Sequence, residues 1–175
     1  MKNVFFSLIL TLAAGLGILH AQAPVADQTG NTKVGLGKPL PDFSFTSTSG
    51  KPVTKASLPK GQPVIVFYFD PDCDHCQLQS KMINDKIAEN KDFFKGITFL
   101  FVSWGEMEAI KQFPVKHLPG LTSPNFFTKD EQYKFDSYFG YSEVPSIYVY
   151  DRYWVRTGSF KAETKPENLV YLAWK

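Results

Sequence analysis

Six apolar residues in a row, Val64-Ile65-Val66-Phe67-Tyr68-Phe69, lead through Asp70-Pro71-Asp72 into Cys73-Asp74-His75-Cys76. The run is rich in β-branched and aromatic residues and does not alternate with polar ones. Such a pattern predicts a central strand buried on both faces. The turn that follows opens a helix near Cys73, so the first cysteine sits where a strand ends and a helix begins. Helix N-termini carry free N–H groups and the positive end of the dipole, and both stabilise a thiolate. Three-residue spacing brings the second sulfur about one helical turn on, within reach of the first.

These two cysteines are the only ones in 175 residues. A disulfide between them would close a loop too short to stabilise the fold by chain entropy. The pair is therefore read as a redox switch, with Cys73 attacking and Cys76 resolving. A structural zinc site wants four ligands, and the chain has no second cysteine pair. Two thiolates also suit Cu(I), with His75 assisting, so a copper carrier is an alternative. Asp70, Asp72 and Asp74 alternate as in a calcium loop, but the sixth position is His75 and the twelfth Lys81, where Gly and Glu are needed. They are read as capping the turn and helix start. Their charge disfavours a thiolate at Cys73, while a protonated His75 favours one. No metal and no organic cofactor is expected.

The first residues read as an export signal. Lys2 is followed by the uncharged, mostly apolar stretch 3–19 and then by His20-Ala21-Gln22-Ala23. Cleavage is expected after Ala21, since Pro24 obstructs cutting after Ala23. An uncleaved anchor is the alternative, though the stretch is short of the roughly 20 apolar residues a spanning helix needs. No cysteine near the junction could carry a lipid. The segments are thus 1–21 signal peptide, 22–36 flexible linker and 37–175 one folded domain. Export places the chain in the periplasm or on the outer face of a bacterial cytoplasmic membrane, where disulfides persist. The net charge is only +2 and no basic block is present, which argues against a nucleic-acid partner. With the signal removed, no stable membrane insertion is expected, and the chain is read as a monomer.

Further elements follow from local pattern. Residues 43–45 and 52–54 read as a short strand pair around Ser49-Gly50-Lys51. The helix after Cys73 is expected to pack Leu78, Met82, Ile83, Lys86 and Ile87 against a sheet. Residues 97–102 form a second buried strand. Residues 106–113 form a helix stopped by Pro114, 114–128 a loop, and 129–139 a helix. Residues 147–150 and 154–158 form a strand pair, and Pro166 starts a final helix over 167–174.

Three segments resemble one family. Gly37-Lys38-Pro39-Leu40-Pro41-Asp42-Phe43 is similar to the opening of redoxin-branch thioredoxin-like proteins. Val64 to Cys76 resembles their strand-turn-CxxC segment. Ser142-Glu143-Val144-Pro145-Ser146-Ile147 resembles the segment with their cis-proline. The likeness spans Gly37 to Trp174 and is nearest to the exported TlpA/ResA-type thiol-disulfide oxidoreductases. It implies an α/β, thioredoxin-like fold: a central mixed β-sheet flanked by helices, with an N-terminal β-hairpin extension. It implies a cis Val144–Pro145 bond facing the cysteines and a backbone there that pairs with substrate. The implied partners are protein thiols or disulfides and a redox protein that recharges the pair.

Departures from the family are specific. Asp72 replaces the Trp that precedes the first cysteine in thioredoxins. Phe67 stands where thioredoxin has a buried acid. Gln79 stands where TlpA-like relatives carry a glutamate. His75 before the second cysteine matches the order in DsbA-like oxidants. A thiol peroxidase is a further alternative, but position 70 is Asp where a peroxidatic Thr-x-x-Cys would have Thr. Potentials of CxxC proteins span roughly −270 to −120 mV, about 7 kcal/mol, so reductant and oxidant are both open.

Overall fold

The computed structural model describes residues 35–140 and 142–175. The expected signal peptide and nearly all of the linker lie outside the described residues. The strands are β1 (Ser44–Ser47), β2 (Pro52–Thr54), β3 (Val64–Tyr68), β4 (Thr98–Ser103), β5 (Asn125–Lys129), β6 (Ser146–Tyr150) and β7 (Arg156–Phe160). The helices are α1 (Asp74–Glu89), α2 (Met107–His117), α3 (Phe135–Phe139) and α4 (Pro166–Ala173). They form one mixed sheet in the order β2-β1-β5-β4-β3-β6-β7. β3, β4 and β5 are parallel neighbours, and β6 and β7 add antiparallel on the other side of β3.

Every residue of β3 and β4 is buried, as an uninterrupted apolar run requires. Side chains alternate between faces with period two. Ile65, Phe67, Phe99, Phe101, Ile147 and Val149 meet α1, α2 and α4 on one face. Val64, Val66, Tyr68, Leu100, Val102 and Tyr148 meet Phe43, Phe45, Phe135 and Phe139 on the other. The β1–β2 hairpin brings Phe43 and Phe45 to that second face as the expected extension.

Four local expectations are corrected. The buried stripe of α1 is Cys76, Gln79, Ser80, Ile83 and Ile87, while Leu78 is 49% exposed and Met82 and Lys86 are only half-buried. Burying Cys76 sets the phase of the helix, and two polar residues in the stripe hide it from a hydropathy reading. Pro114 does not stop α2, which runs on to His117. A proline inside a helix removes one hydrogen bond to the residue four before it. Buried Ile110 and Phe113 hold this helix to the sheet, and Leu118 N–H still donates to the Pro114 carbonyl.

Residues 125–128, expected as loop, and Lys129, expected to start a helix, are β5. Pro119, Gly120 and Pro124 hide it, and pairing with β4 over Phe99–Ser103 on one side and with β1 on the other defines it. The helix expected over 129–139 shrinks to α3. Asp130, 2% exposed, accepts from the Lys134 and Phe135 N–H groups at 3.0 and 2.8 Å and so ends the strand and starts the turn. Asp130→Ala leaves both donors without that partner and is expected to cost about 1–2 kcal/mol. Urea denaturation of the variant checks this; an unchanged midpoint contradicts it.

Candidate functional site

The cysteines lie at the carboxyl end of the central strand. Phe69 N–H donates to Val102 O at 2.9 Å, tying the end of β3 to β4. The chain then turns through Asp70. Its Oδ1 accepts from Asp72 N–H at 3.0 Å, and its carbonyl accepts from Cys73 N–H at 3.1 Å. Gln77 Nε2 donates to Pro71 O at 2.9 Å, fastening the first turn of α1 over this loop.

Cys73 is the N-cap of α1, with extended backbone, and its sulfur accepts from Cys76 N–H at 3.4 Å. A backbone donor aimed at the sulfur stabilises negative charge there. Both cysteines are free thiols. Cys73 is half-buried and reachable, whereas Cys76 is 0% exposed. Burial pushes the Cys76 thiol well above its ordinary value. The hydrogen bond with Cys73 pushes the same way, and a backbone hydrogen bond from Asp70 opposes them. The inner sulfur is thus held protonated behind the outer one.

Val144–Pro145 is cis. The Cys73 Sγ–H points at the Val144 carbonyl at 4.0 Å, so residues 71 apart in sequence share one site. Pro145 is buried and Val144 half-buried, packed against both halves of the core.

The flanking polar residues divide. Asp70 shapes the turn, while Asp72 and Asp74 are exposed. His75 turns outward, and its Nδ1 meets Glu163 Oε1 at 2.6 Å. The hydrogen bond to Glu163, then its charge, raises the His75 pKa. Burial works to raise the Glu163 pKa, but the bond from His75, a backbone N–H and the His75 charge together bring it below its ordinary value. Glu163 gives no local sequence signal, because it lies 88 residues from His75.

The raised histidine contributes stability in full below its unfolded value of 6.5 and loses it as pH rises through the folded pKa. The depressed glutamate contributes above its unfolded value of 4.5 and loses it as pH falls through the folded pKa. The Tm gap between wild type and Glu163→Gln is therefore expected to be widest from pH 4.5 to 6.5 and to close on the alkaline side. A gap that keeps growing above neutral pH contradicts the pairing.

Gln79 is 0% exposed, and its Oε1 accepts from Thr164 N–H at 2.7 Å, joining α1 to the start of α4. The residue at the family's glutamate position thus makes a structural bond. Its Nε2, and the neighbouring Ser80 Oγ, are buried without a hydrogen-bond partner among the described residues. His117, expected in a loop, ends α2 with its ring 4.8 Å from that of Phe113. Trp154 Nε1 donates to Gln62 O, Trp174 lies on the surface near Arg152, and Trp104 packs on Tyr68. Of the closely spaced aromatic residues around α3, Phe135 and Phe139 are buried, Tyr138 is half-buried and Tyr133 is 73% exposed. Tyr141 lies outside the described residues.

The family model described as the AhpC/TSA family matches residues 36–153. No curated protein sequence matches the chain. Several solved structures share its architecture. A secreted Mycobacterium tuberculosis disulfide oxidoreductase, homologous to E. coli DsbE, is 21% identical with a TM-score of 0.58, covering 75% of this chain and 93% of that one. A thiol:disulfide interchange protein of the thioredoxin family from Chlorobium tepidum is 23% identical with a TM-score of 0.56, covering 77% and 94%. The thioredoxin domain of a thiol-disulfide oxidoreductase from Bacteroides vulgatus is 18% identical with a TM-score of 0.58, covering 78% and 93%. At these identities the likeness is one of fold, and the fold is thioredoxin-like.

Proposed function

The chain belongs to the AhpC/TSA family, and from that premise we propose that it is an exported thiol-disulfide oxidoreductase acting on protein thiols. The observation that carries the reading is the asymmetry of the pair: a reachable sulfur capping a helix, and a fully buried one behind it with its proton held on. In the reducing direction, Cys73 thiolate attacks one sulfur of a substrate disulfide. The S–S bond breaks and its electron pair leaves on the other substrate sulfur, which takes a proton. Cys76 then loses its proton and attacks Cys73 Sγ, displacing the second substrate sulfur as a thiol. The substrate gains two electrons, and the Cys73–Cys76 disulfide is left for a redox partner to recharge. Oxidation of a substrate dithiol is the same sequence reversed.

Val144 and Pro145 take the substrate-facing role. The Val144 carbonyl borders the attacking sulfur, and an extended substrate backbone alongside it would pair there. Residues 1–21 act as a cleaved leader and 22–36 as a flexible linker. The described domain, in which no helix is long and apolar enough to cross a membrane, then works in the periplasm or on the outer face of the cytoplasmic membrane. The secreted mycobacterial relative in fold agrees with that placement. In the peroxidase alternative, Cys73 would need a nearby hydroxyl at position 70, where Asp70 instead holds the turn.

The test is the reduction potential of the Cys73–Cys76 pair in the full chain, titrated against a glutathione series. A value near about −250 mV or below marks a reductant, and one near about −180 to −120 mV an oxidant or isomerase. If no two-electron transition appears, the oxidoreductase reading is wrong.

A further inference from the structure

Val144, whose carbonyl faces Cys73 Sγ, also borders a surface cavity of about 520 Å³. Tyr68 and Trp104 form its floor, with ring centroids 5.0 Å apart. Tyr133, Asp136, Glu143 and Val144 complete its walls. The rings and carboxylates come from four separate stretches of chain. Tyr68 ends β3, Trp104 follows β4, Tyr133 and Asp136 lie at the start of α3, and Glu143 and Val144 precede β6.

Each wall has a physical consequence. Aromatic faces attract cations, and Trp is the strongest of them. Asp136 is exposed and lines the cavity together with these rings. Burial first, then the fields of Asp130 and Asp136, keeps the Tyr68 phenol protonated. Tyr133, with φ of 52°, stands in a backbone conformation rare for a bulky residue and leaves its ring 73% exposed. Among the described residues, no lysine or arginine lines the cavity. It offers aromatic faces under negative charge, close to the sulfur that attacks.

We propose that this cavity is a side-chain subsite that selects substrate segments carrying an arginine or lysine close to the reacting cysteine. The inference rests on the thiol-disulfide reading of the site and adds its substrate class. The occupant's cation lies over Trp104, which is half-buried and backed by Tyr68, with Asp136 and Glu143 at its rim, while the substrate backbone runs past Val144. Acidic segments are disfavoured by the same two carboxylates, so discrimination comes from attraction and repulsion together. The expected preference is about tenfold for Arg over Glu, the order given by one exposed cation–π contact and screened ion pairs.

The test uses nonapeptides with one central cysteine, flanked by Arg, Gln or Glu and carried as the mixed disulfide with glutathione. Exchange with the reduced full chain gives kcat/KM for each. The same peptides with Ser for Cys give Kd without chemistry. Arg is expected to exceed Gln and Gln to exceed Glu in either readout. The spread is expected to narrow at high salt. It is expected to fall to near unity in the double variant Asp136→Asn, Glu143→Gln, whose folding is checked by circular dichroism. Equal values for the three peptides, or an Arg preference that survives in the double variant, overturn the subsite. Binding that discriminates without any exchange overturns the oxidoreductase reading and leaves the subsite standing. Exchange without discrimination does the reverse.

Discussion

Cys76→Ser is expected to arrest the protein at its mixed disulfide. Cys73 remains reachable and still capped by the backbone N–H of residue 76, so the first attack proceeds. The group that would displace the substrate is gone, since a hydroxyl does not attack a disulfide at useful rates. Mass spectrometry of the variant incubated with a substrate disulfide should show one adduct per chain, on Cys73. Cys73→Ser should give no adduct. Its exchange rate should fall on the order of 10³-fold or more, a barrier rise of about 4 kcal/mol. The two variants are asymmetric because Cys76 is 0% exposed, so a substrate disulfide cannot reach it when Cys73 is absent. An adduct on Cys76, or full turnover by Cys76→Ser, would overturn the assignment of roles.

The second large effect lies in the layer beneath the site. Phe101 is 0% exposed in the middle of β4. Its ring stacks on Phe127 at 4.2 Å and 3°, and lies 5.6 Å from both Phe67 and Phe99. Phe69, the last residue before the active-site turn, meets it edge-on at 6.2 Å. Removing a fully buried aromatic ring forfeits its transfer energy and leaves a cavity that rigid neighbours cannot fill. Phe101→Ala is expected to cost about 4 kcal/mol, read as a shift of the urea midpoint with little change in slope. A loss below about 1 kcal/mol would mean the neighbouring rings collapse into the space. Since Phe67 and Phe69 lead directly to Asp70, the folded fraction of the variant should also show altered exchange kinetics.

Much of this site is visible in the chain itself. A six-residue apolar run rich in β-branched and aromatic residues predicts a strand covered on both faces, and a proline-containing turn before two spaced cysteines puts the first of them at a helix start. Both follow from neighbours in sequence, and the structure bears them out in the buried β3 and the Cys73 cap. The family resemblance added the cis Val144–Pro145 bond, which composition and spacing could not have supplied. Patterns failed where a residue's environment comes from another part of the chain. β5 has Pro124 before it and polar Asn125, Thr128 and Lys129 within it. It becomes a strand because β4 offers an unpaired parallel edge. The face of α1 is set by burying Cys76, which places polar Gln79 and Ser80 inward and Leu78 outward.

Sequence by itself therefore determined where the two thiols stand: which strand delivers them and which helix end holds them. All of these depend on residues within about one turn of one another, where local sterics and backbone hydrogen bonding act. Tertiary structure alone decided the surroundings. It chose Glu163 as the partner of His75 and Thr164 as the partner of Gln79. It also closed Tyr68, Trp104 and Asp136 into one cavity beside Val144. Those neighbours are brought together by strand order and helix packing across the sheet. Such contacts depend on how the whole chain minimises buried polar groups and voids at once, a condition that no local stretch of sequence records.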